Sequence, residues 1–228
     1  MAVIRIDARD GAGDFAAYLA ETPGARAGIV VVQEILGVNA GIREMTESWA
    51  AQGYTAIAPD LFWRIVPGVE LDADKPDDFK QALDLLGGFD IDKGILDIEA
   101  AIKSLRARGC SKVGVVGYCL GGQLAYLSAT RTDSDATVGY YGVNIDKYLG
   151  EQHAIGKPLM LHNAALDHFV AAEAKAAVRS GLAANPHVTL HDYQADHAFA
   201  RVGSKTRVPE LADEADARTT AFFRANLA

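Results

Sequence analysis

The strongest chemical signal in the chain is Gly117-Tyr118-Cys119-Leu120-Gly121-Gly122, a thiol set among glycines between an apolar run and a helical pattern. A nucleophile on such a sharp strand-to-helix turn stands above the sheet, and the glycines are needed because side chains there would strike neighbouring backbone. Cys119 takes the nucleophile's place. The next amide, Leu120 N–H, points at the same spot and is a candidate donor to the oxygen that turns negative in a tetrahedral intermediate. Partial positive charge at the helix start favours a thiolate. Two other readings stand beside this one. A lone cysteine in a glycine-rich turn is commonly a buried structural residue. A dinucleotide turn also uses glycines, but the G-x-G-x-x-G spacing is absent and Tyr118 and Cys119 block the approach.

A nucleophilic cysteine needs a base and a group to orient it, and in a parallel α/β sheet these follow in the order nucleophile, acid, histidine. Asp167 lies beyond an apolar stretch at 158–162, and His197 lies beyond another at 188–193. The rivals are weaker. His168 adjoins Asp167 but points elsewhere, and His162 falls within a strand. His187 and His191 share one face of the last strand without an obvious third metal ligand. Asp192 and Asp196 are alternative orienters, although acids beside a loop histidine more often cap turns.

Glu34 closes the first strongly apolar strand in Gln33-Glu34-Ile35-Leu36-Gly37. The loop there commonly gives the second oxyanion donor, and Ile35 N–H is the candidate. A carboxylate beside a thiol keeps it protonated, or takes its proton after reorienting. Taken alone, Glu34 reads as a solvated strand-end acid.

These residues need strands to hold them. Gly28 to Gln33 is a β-branched run without alternation, as in a strand covered on both faces. Asn39 caps a helix with Ile42, Met45 and Trp49 on one face, and Gly53 stops it before a strand at 54–58. Ile95, Ile98, Ile102 and Leu105 share the next helix face, followed by a strand at 112–116. Leu120, Leu124 and Leu127 mark another helix, and 137–141, 158–162 and 188–193 are further strands. A helix outlined by Ala174, Val178 and Leu182 separates the last two, and 209–227 closes the chain. The alternation predicts one α/β domain over 1–228, a mostly parallel sheet of about seven or eight strands with helices on both faces. Residues 59–80 carry Pro59, Pro67, Gly68, Pro76 and several acids. They predict a surface excursion near the active site, ahead of a helix around Phe79 to Leu86.

The chain has 228 residues, half of them apolar and 23% charged, which suits a globular enzyme. A net charge of −8 without a basic patch argues against nucleic acid. Cys110 and Cys119 are too few for a disulfide framework and match no zinc or Cys-x-x-Cys spacing, which fits a reducing cytoplasm. Met1 to Asp10 alternates apolar and charged residues, unlike a signal peptide, and no apolar run has membrane-spanning length. No motif calls for a metal or organic cofactor.

The chain resembles the dienelactone hydrolases, or carboxymethylenebutenolidases, of the α/β-hydrolase superfamily over nearly its whole length. The resemblance rests on Gln33–Asn39, Ala58–Phe62, Val116–Gly122, Val138–Gly142, Asp167–Val170 and His197–Arg201. It implies a Cys119, His197 and Asp167 triad, with Glu34 taking the thiol proton when substrate arrives and Ile35 and Leu120 amides forming the oxyanion hole. It implies that Arg201 pairs with a substrate carboxylate and that Tyr140 lines that pocket. The implied reaction opens a carboxylate-bearing enol lactone to maleylacetate in the catabolism of chlorinated aromatics, by a monomeric enzyme. One position departs. Where characterised members carry a second carboxylate-binding Arg, after Leu71-Asp72, this chain has Asp77 and Phe79, with Lys75 and Lys80 nearby. A flexible ammonium is a poor copy of a planar fork. A broader esterase or thioesterase with the same triad is the alternative within catalysis, and a binding module that kept the fold and lost turnover is the alternative outside it.

Overall fold

Uninterrupted apolar runs make the inner strands of this protein, whose computed structural model describes residues 1–228 in two compact units, Met1–Val113 and Gly114–Ala228. The first unit holds β1 (Ala2–Asp7), β2 (Asp14–Ala20), β3 (Ala27–Val32) and β4 (Thr55–Pro59), in the spatial order β1-β2-β4-β3. β3 and β4 are parallel and almost wholly buried, as expected of β-branched runs covered on both faces. β1 and β2 form an antiparallel hairpin, and β2 runs antiparallel to β4. The alternation in Met1 to Asp10 is this hairpin's signature: Val3 and Arg5 are exposed while Ile6 is buried.

Three helices complete the unit: α1 (Ala40–Ala51), α2 (Pro76–Gly87) and α3 (Ile91–Ala107). Asn39 caps α1 by accepting the Ile42 amide at 3.2 Å, and Ile42 and Trp49 are buried on one face. The predicted surface excursion at 59–80 is exposed at Ile65 to Gly68, at Glu70 and at most positions from Asp72, while part of it turns inward. Leu61, Phe62, Val69 and Leu71 are buried, and Glu70 bridges to Gly37. The reason lies in α3, where Asp97 is fully buried and an ionised carboxylate needs partners. Trp63 Nε1 donates to it at 2.8 Å, and the Arg64 guanidinium forks onto it at 2.7 and 3.1 Å. The helix predicted near Phe79 is α2.

The second unit takes in β5 (Lys112–Tyr118), which starts at the boundary, and then β6 (Ala136–Tyr140), β7 (Leu159–Ala164) and β8 (Val188–Tyr193). These four run parallel in chain order, giving eight strands in all. Their connections are α4 (Leu120–Arg131), a 3-10 helix (Ile145–Ala154) and α5 (Ala172–Leu182), and α6 (Pro209–Leu227) follows β8. Because the strands are parallel, the turns leaving β5, β7 and β8 all lie at one end of the unit. Cys119, Asp167 and His197 occupy those turns. No helix of the protein is long and apolar enough to cross a membrane.

Candidate active site

Cys119 sits at φ 56° and ψ −116°, a backbone conformation that L-residues rarely adopt, as the turn from β5 into α4 reverses the chain within one residue. The glycines permit this. A Cβ on Gly117 would lie 1.9 Å from the Gly121 carbonyl oxygen, and one on Gly122 would lie 2.5 Å from that of Tyr140. Cys119 N–H donates to the Tyr140 carbonyl at 3.1 Å, fixing the turn to the end of β6. Leu120 N–H opens the helix, where amides have no intrahelical acceptor and remain available to an anion.

The side chains meet as the strand order predicts. His197 Nδ1 is 2.7 Å from Asp167 Oδ2, and the imidazole also hydrogen-bonds the Cys119 side chain. All three are largely buried, at 9% (Cys119), 7% (His197) and 4% (Asp167) exposure. Burial is the largest single influence on His197 and favours the neutral ring. The Asp167 and Cys119 hydrogen bonds, with the charges of both groups, outweigh it and raise the imidazole to about 10. The Cys119 charge in that balance is the ionised sulfur's, so the arrangement pairs an imidazolium with a thiolate once the thiol has lost its proton. Asp167 is held in turn, its Oδ1 accepting Phe169 N–H at 2.9 Å.

Three of the four non-glycine residues with positive φ adjoin this triad: Cys119 itself, Ala198 beside His197, and Tyr141, whose ring meets the His197 ring edge-on with centroids 5.1 Å apart. Each such residue costs about 1–3 kcal/mol and persists where the surroundings over-determine it, as they do at functional sites. Phe169 also packs edge-on against His197, centroids 4.9 Å apart, and Thr206 Oγ1 donates to the His197 carbonyl.

Tyr140 departs from the pocket-lining place implied by the family resemblance. It is 1% exposed, and its hydroxyl contacts Thr219 Oγ1 at 2.6 Å and donates to Asp216 Oδ1 at 2.9 Å, both on α6. The cause is a chain of hydrogen bonds with one consistent direction. Arg218 Nη1 has only hydrogens to give and donates to the Tyr193 oxygen at 3.0 Å. The Tyr193 hydroxyl then donates to His162 Nδ1 at 2.8 Å, and His162 Nε2–H donates to Thr219 Oγ1 at 2.9 Å. Thr219 passes the direction to Tyr140, and Tyr140 to Asp216. Burial above all, with His191 and Arg218 nearby, lowers His162 to about 3, so its ring stays neutral with one donor and one acceptor nitrogen. The chain ties β6, β7 and β8 to α6. Tyr141, the next residue, is the tyrosine that meets His197.

Glu34 and Ile35 belong to the first unit, at the end of β3, where Glu34 is buried and Gln33 Oε1 accepts Leu61 N–H at 3.0 Å. Arg201 lies in the loop after His197, partly exposed, with its amide bonded to the Ala198 carbonyl at 3.1 Å. Tyr141 and Phe169 were not singled out from sequence as partners of His197, although both stand in motifs quoted there. No group of three His, Cys, Asp or Glu side chains is placed to hold a metal ion.

Comparison with known proteins places this geometry in a context. The sequence model of the Dienelactone hydrolase family matches residues 15–227. Carboxymethylenebutenolidase 1 of Cupriavidus pinatubonensis is 40% identical over 219 residues, covering 95% of this chain and 93% of that protein. The carboxymethylenebutenolidase of Pseudomonas putida is 43% identical over 199 residues, 86% of this chain and 84% of that protein. Among solved structures, a dienelactone hydrolase-like protein of Klebsiella pneumoniae superposes with a TM-score of 0.81 at 26% identity, over 98% of this chain and 99% of that one.

Proposed function

Since the chain belongs to the dienelactone hydrolase family, with the α/β-hydrolase fold and hydrolysis of esters or lactones that go with it, we propose that it works through a Cys119, His197 and Asp167 triad by way of an acyl-thioester. The observation that carries this is the imidazole of His197, bonded on one side to Asp167 and on the other to Cys119. Glu34 takes the thiol proton when substrate arrives, and the imidazolium stabilises the resulting thiolate. The sulfur attacks the carbonyl carbon and the oxyanion rests on the Ile35 and Leu120 amides. As the intermediate collapses, the ring C–O bond breaks and His197 gives its proton to the enolate oxygen. Neutral His197 then removes a proton from water, and the hydroxide attacks the thioester. The C–S bond breaks, the thiolate recovers the proton held by Glu34, and the new carboxylic acid releases its own to solvent.

The substrate we infer is an enol lactone bearing a carboxylate, opened to maleylacetate, with Arg201 as the pairing cation. An enol is a good leaving group, which suits a thiolate nucleophile. Arg201→Ala is expected to raise KM for dienelactone about tenfold or more, the loss of a charge-assisted pair, and to change kcat/KM for p-nitrophenyl acetate by less than about twofold. Steady-state kinetics on both substrates checks this, and equal effects on both would reject the acidic-substrate reading. The second reading, a broader carboxylesterase, is favoured by Asp77 and Phe79 standing in the segment where the family resemblance implies a second Arg. Both cysteines are free thiols, and we place the enzyme as a monomer in the reducing cytoplasm.

A further inference from the structure

We infer that Asp196, through a clip it forms with His168, is a positioning residue that sets the separation of the acid-bearing and base-bearing loops. This rests on the triad reading above and goes beyond it. The two loops meet as a crossed pair. Asp167 of one loop bonds His197 of the other, and the adjoining residues bond in the opposite sense, His168 to Asp196.

The clip is made of four contacts. Asp196 Oδ1 accepts the backbone N–H of His197 at 2.7 Å and that of His168 at 3.1 Å. The same carboxylate takes the His168 ring through Nδ1, at 2.8 Å to Oδ1 and 3.0 Å to Oδ2. One carboxylate thus holds the amide of the base itself and the amide next to the acid. Backbone bonds run parallel to it, Leu166 N–H to the Ala195 carbonyl at 3.0 Å and Ala165 N–H to the Tyr193 carbonyl at 2.8 Å, but they end short of the triad residues. The His168 ring also leans on Phe169, centroids 4.0 Å apart, and Phe169 is the ring packed on His197. Burial works to raise Asp196. The His168 ring and the two amides outweigh it and hold the carboxyl below its ordinary range, as expected of an acceptor satisfied in its ionised form.

The position is one where small errors matter. His197 precedes Ala198, whose φ is +60°, so the chain turns sharply just beyond the base and its entry is fixed by the Asp196 contact. Misplacing a catalytic group by about 1 Å costs on the order of 10²-fold in rate.

The test uses the full chain and p-nitrophenyl acetate, with intact sites counted by stoichiometric labelling of Cys119. Asp196→Ala is expected to lower kcat per labelled site about tenfold or more with KM within about twofold. Asp196→Asn keeps an Oδ1 acceptor for both amides, and its NH2 can donate to His168 in the other tautomer, so it is expected to recover most of kcat. A destabilising change alone would lower the number of labelled sites and leave kcat per site unchanged. Asp196→Ala with kcat per site within about twofold of wild type overturns the inference, as does Asp196→Asn falling as far as Asp196→Ala. Should Asp196→Ala not fold, His168→Ala decides: it severs the ring contact, and an unchanged kcat per site overturns the clip. A dead Cys119→Ala alongside a fully active Asp196→Ala fails the clip alone, whereas an active Cys119→Ala fails the triad and the clip with it.

Discussion

Replacement of Cys119 by alanine is expected to lower kcat for p-nitrophenyl acetate and for dienelactone by about 10⁴-fold or more, with the fold intact and KM little changed. The magnitude follows from what is removed. A hydrolase stripped of its nucleophile keeps only the binding and oxyanion contributions, and triad members knocked out singly elsewhere lose about as much as all removed together. The substitution adds no volume at φ 56°, where the turn tolerates a Cβ but demands glycine at 117 and 122, so the effect reads out chemistry. The check is steady-state kinetics with circular dichroism and a thermal melt on the same sample. A variant within about tenfold of wild type would remove Cys119 from the mechanism.

Asp167→Asn is expected to lower kcat by roughly 10³- to 10⁴-fold, since an amide in place of the carboxylate lets the imidazole settle in the wrong tautomer. In the proposed mechanism the 2.7 Å contact to His197 Nδ1 fixes the tautomer, leaving the other nitrogen for Cys119 and then for water. The pH dependence should move as well, and its sign can be worked out. In the acyl-enzyme of the proposed mechanism the sulfur is esterified, so the contribution of Cys119 to raising His197 is gone, while burial still favours the neutral ring and Asp167 still opposes it. Deacylation needs the neutral ring, so kcat rises with pH through the acyl-enzyme titration of His197. Removing the Asp167 charge lowers that titration further, and the rising limb of kcat moves toward acid pH even as its plateau falls. An unchanged limb would show that another group supplies the base.

The parts of this site that local chemistry dictates were readable from sequence. The turn at Cys119 was legible because steric need for glycine acts over a few residues, and Asp167 and His197 were legible because parallel strands put their exits at one end. What depends on the pairing of distant segments was not. Asp196 read as a turn cap, and it does take the His197 amide. Its hold on His168 follows only once β7 and β8 lie side by side with Asn163 opposite Asp192. Tyr140 and Tyr141 differ by one position, and the positive φ at Tyr141 ends the strand alternation there, sending one hydroxyl to α6 and the other ring to His197. Residues 59–80 read as surface from their prolines and acids, which holds for Ile65 to Gly68 and most positions from Asp72 but not for Leu61, Phe62, Val69 and Leu71. The buried Asp97 that draws Trp63 and Arg64 inward lies more than thirty residues away.

The most direct test of the central claim is to mix Asp167→Asn, in which deacylation is slowed, with p-nitrophenyl acetate, quench in acid and map the adduct by peptide mass spectrometry. The account predicts one hydroxylamine-labile acetyl group on the Cys119 peptide, formed with a burst of nitrophenol. Acetyl on a different residue accompanying that burst, with Cys119 still open to alkylation, would contradict it.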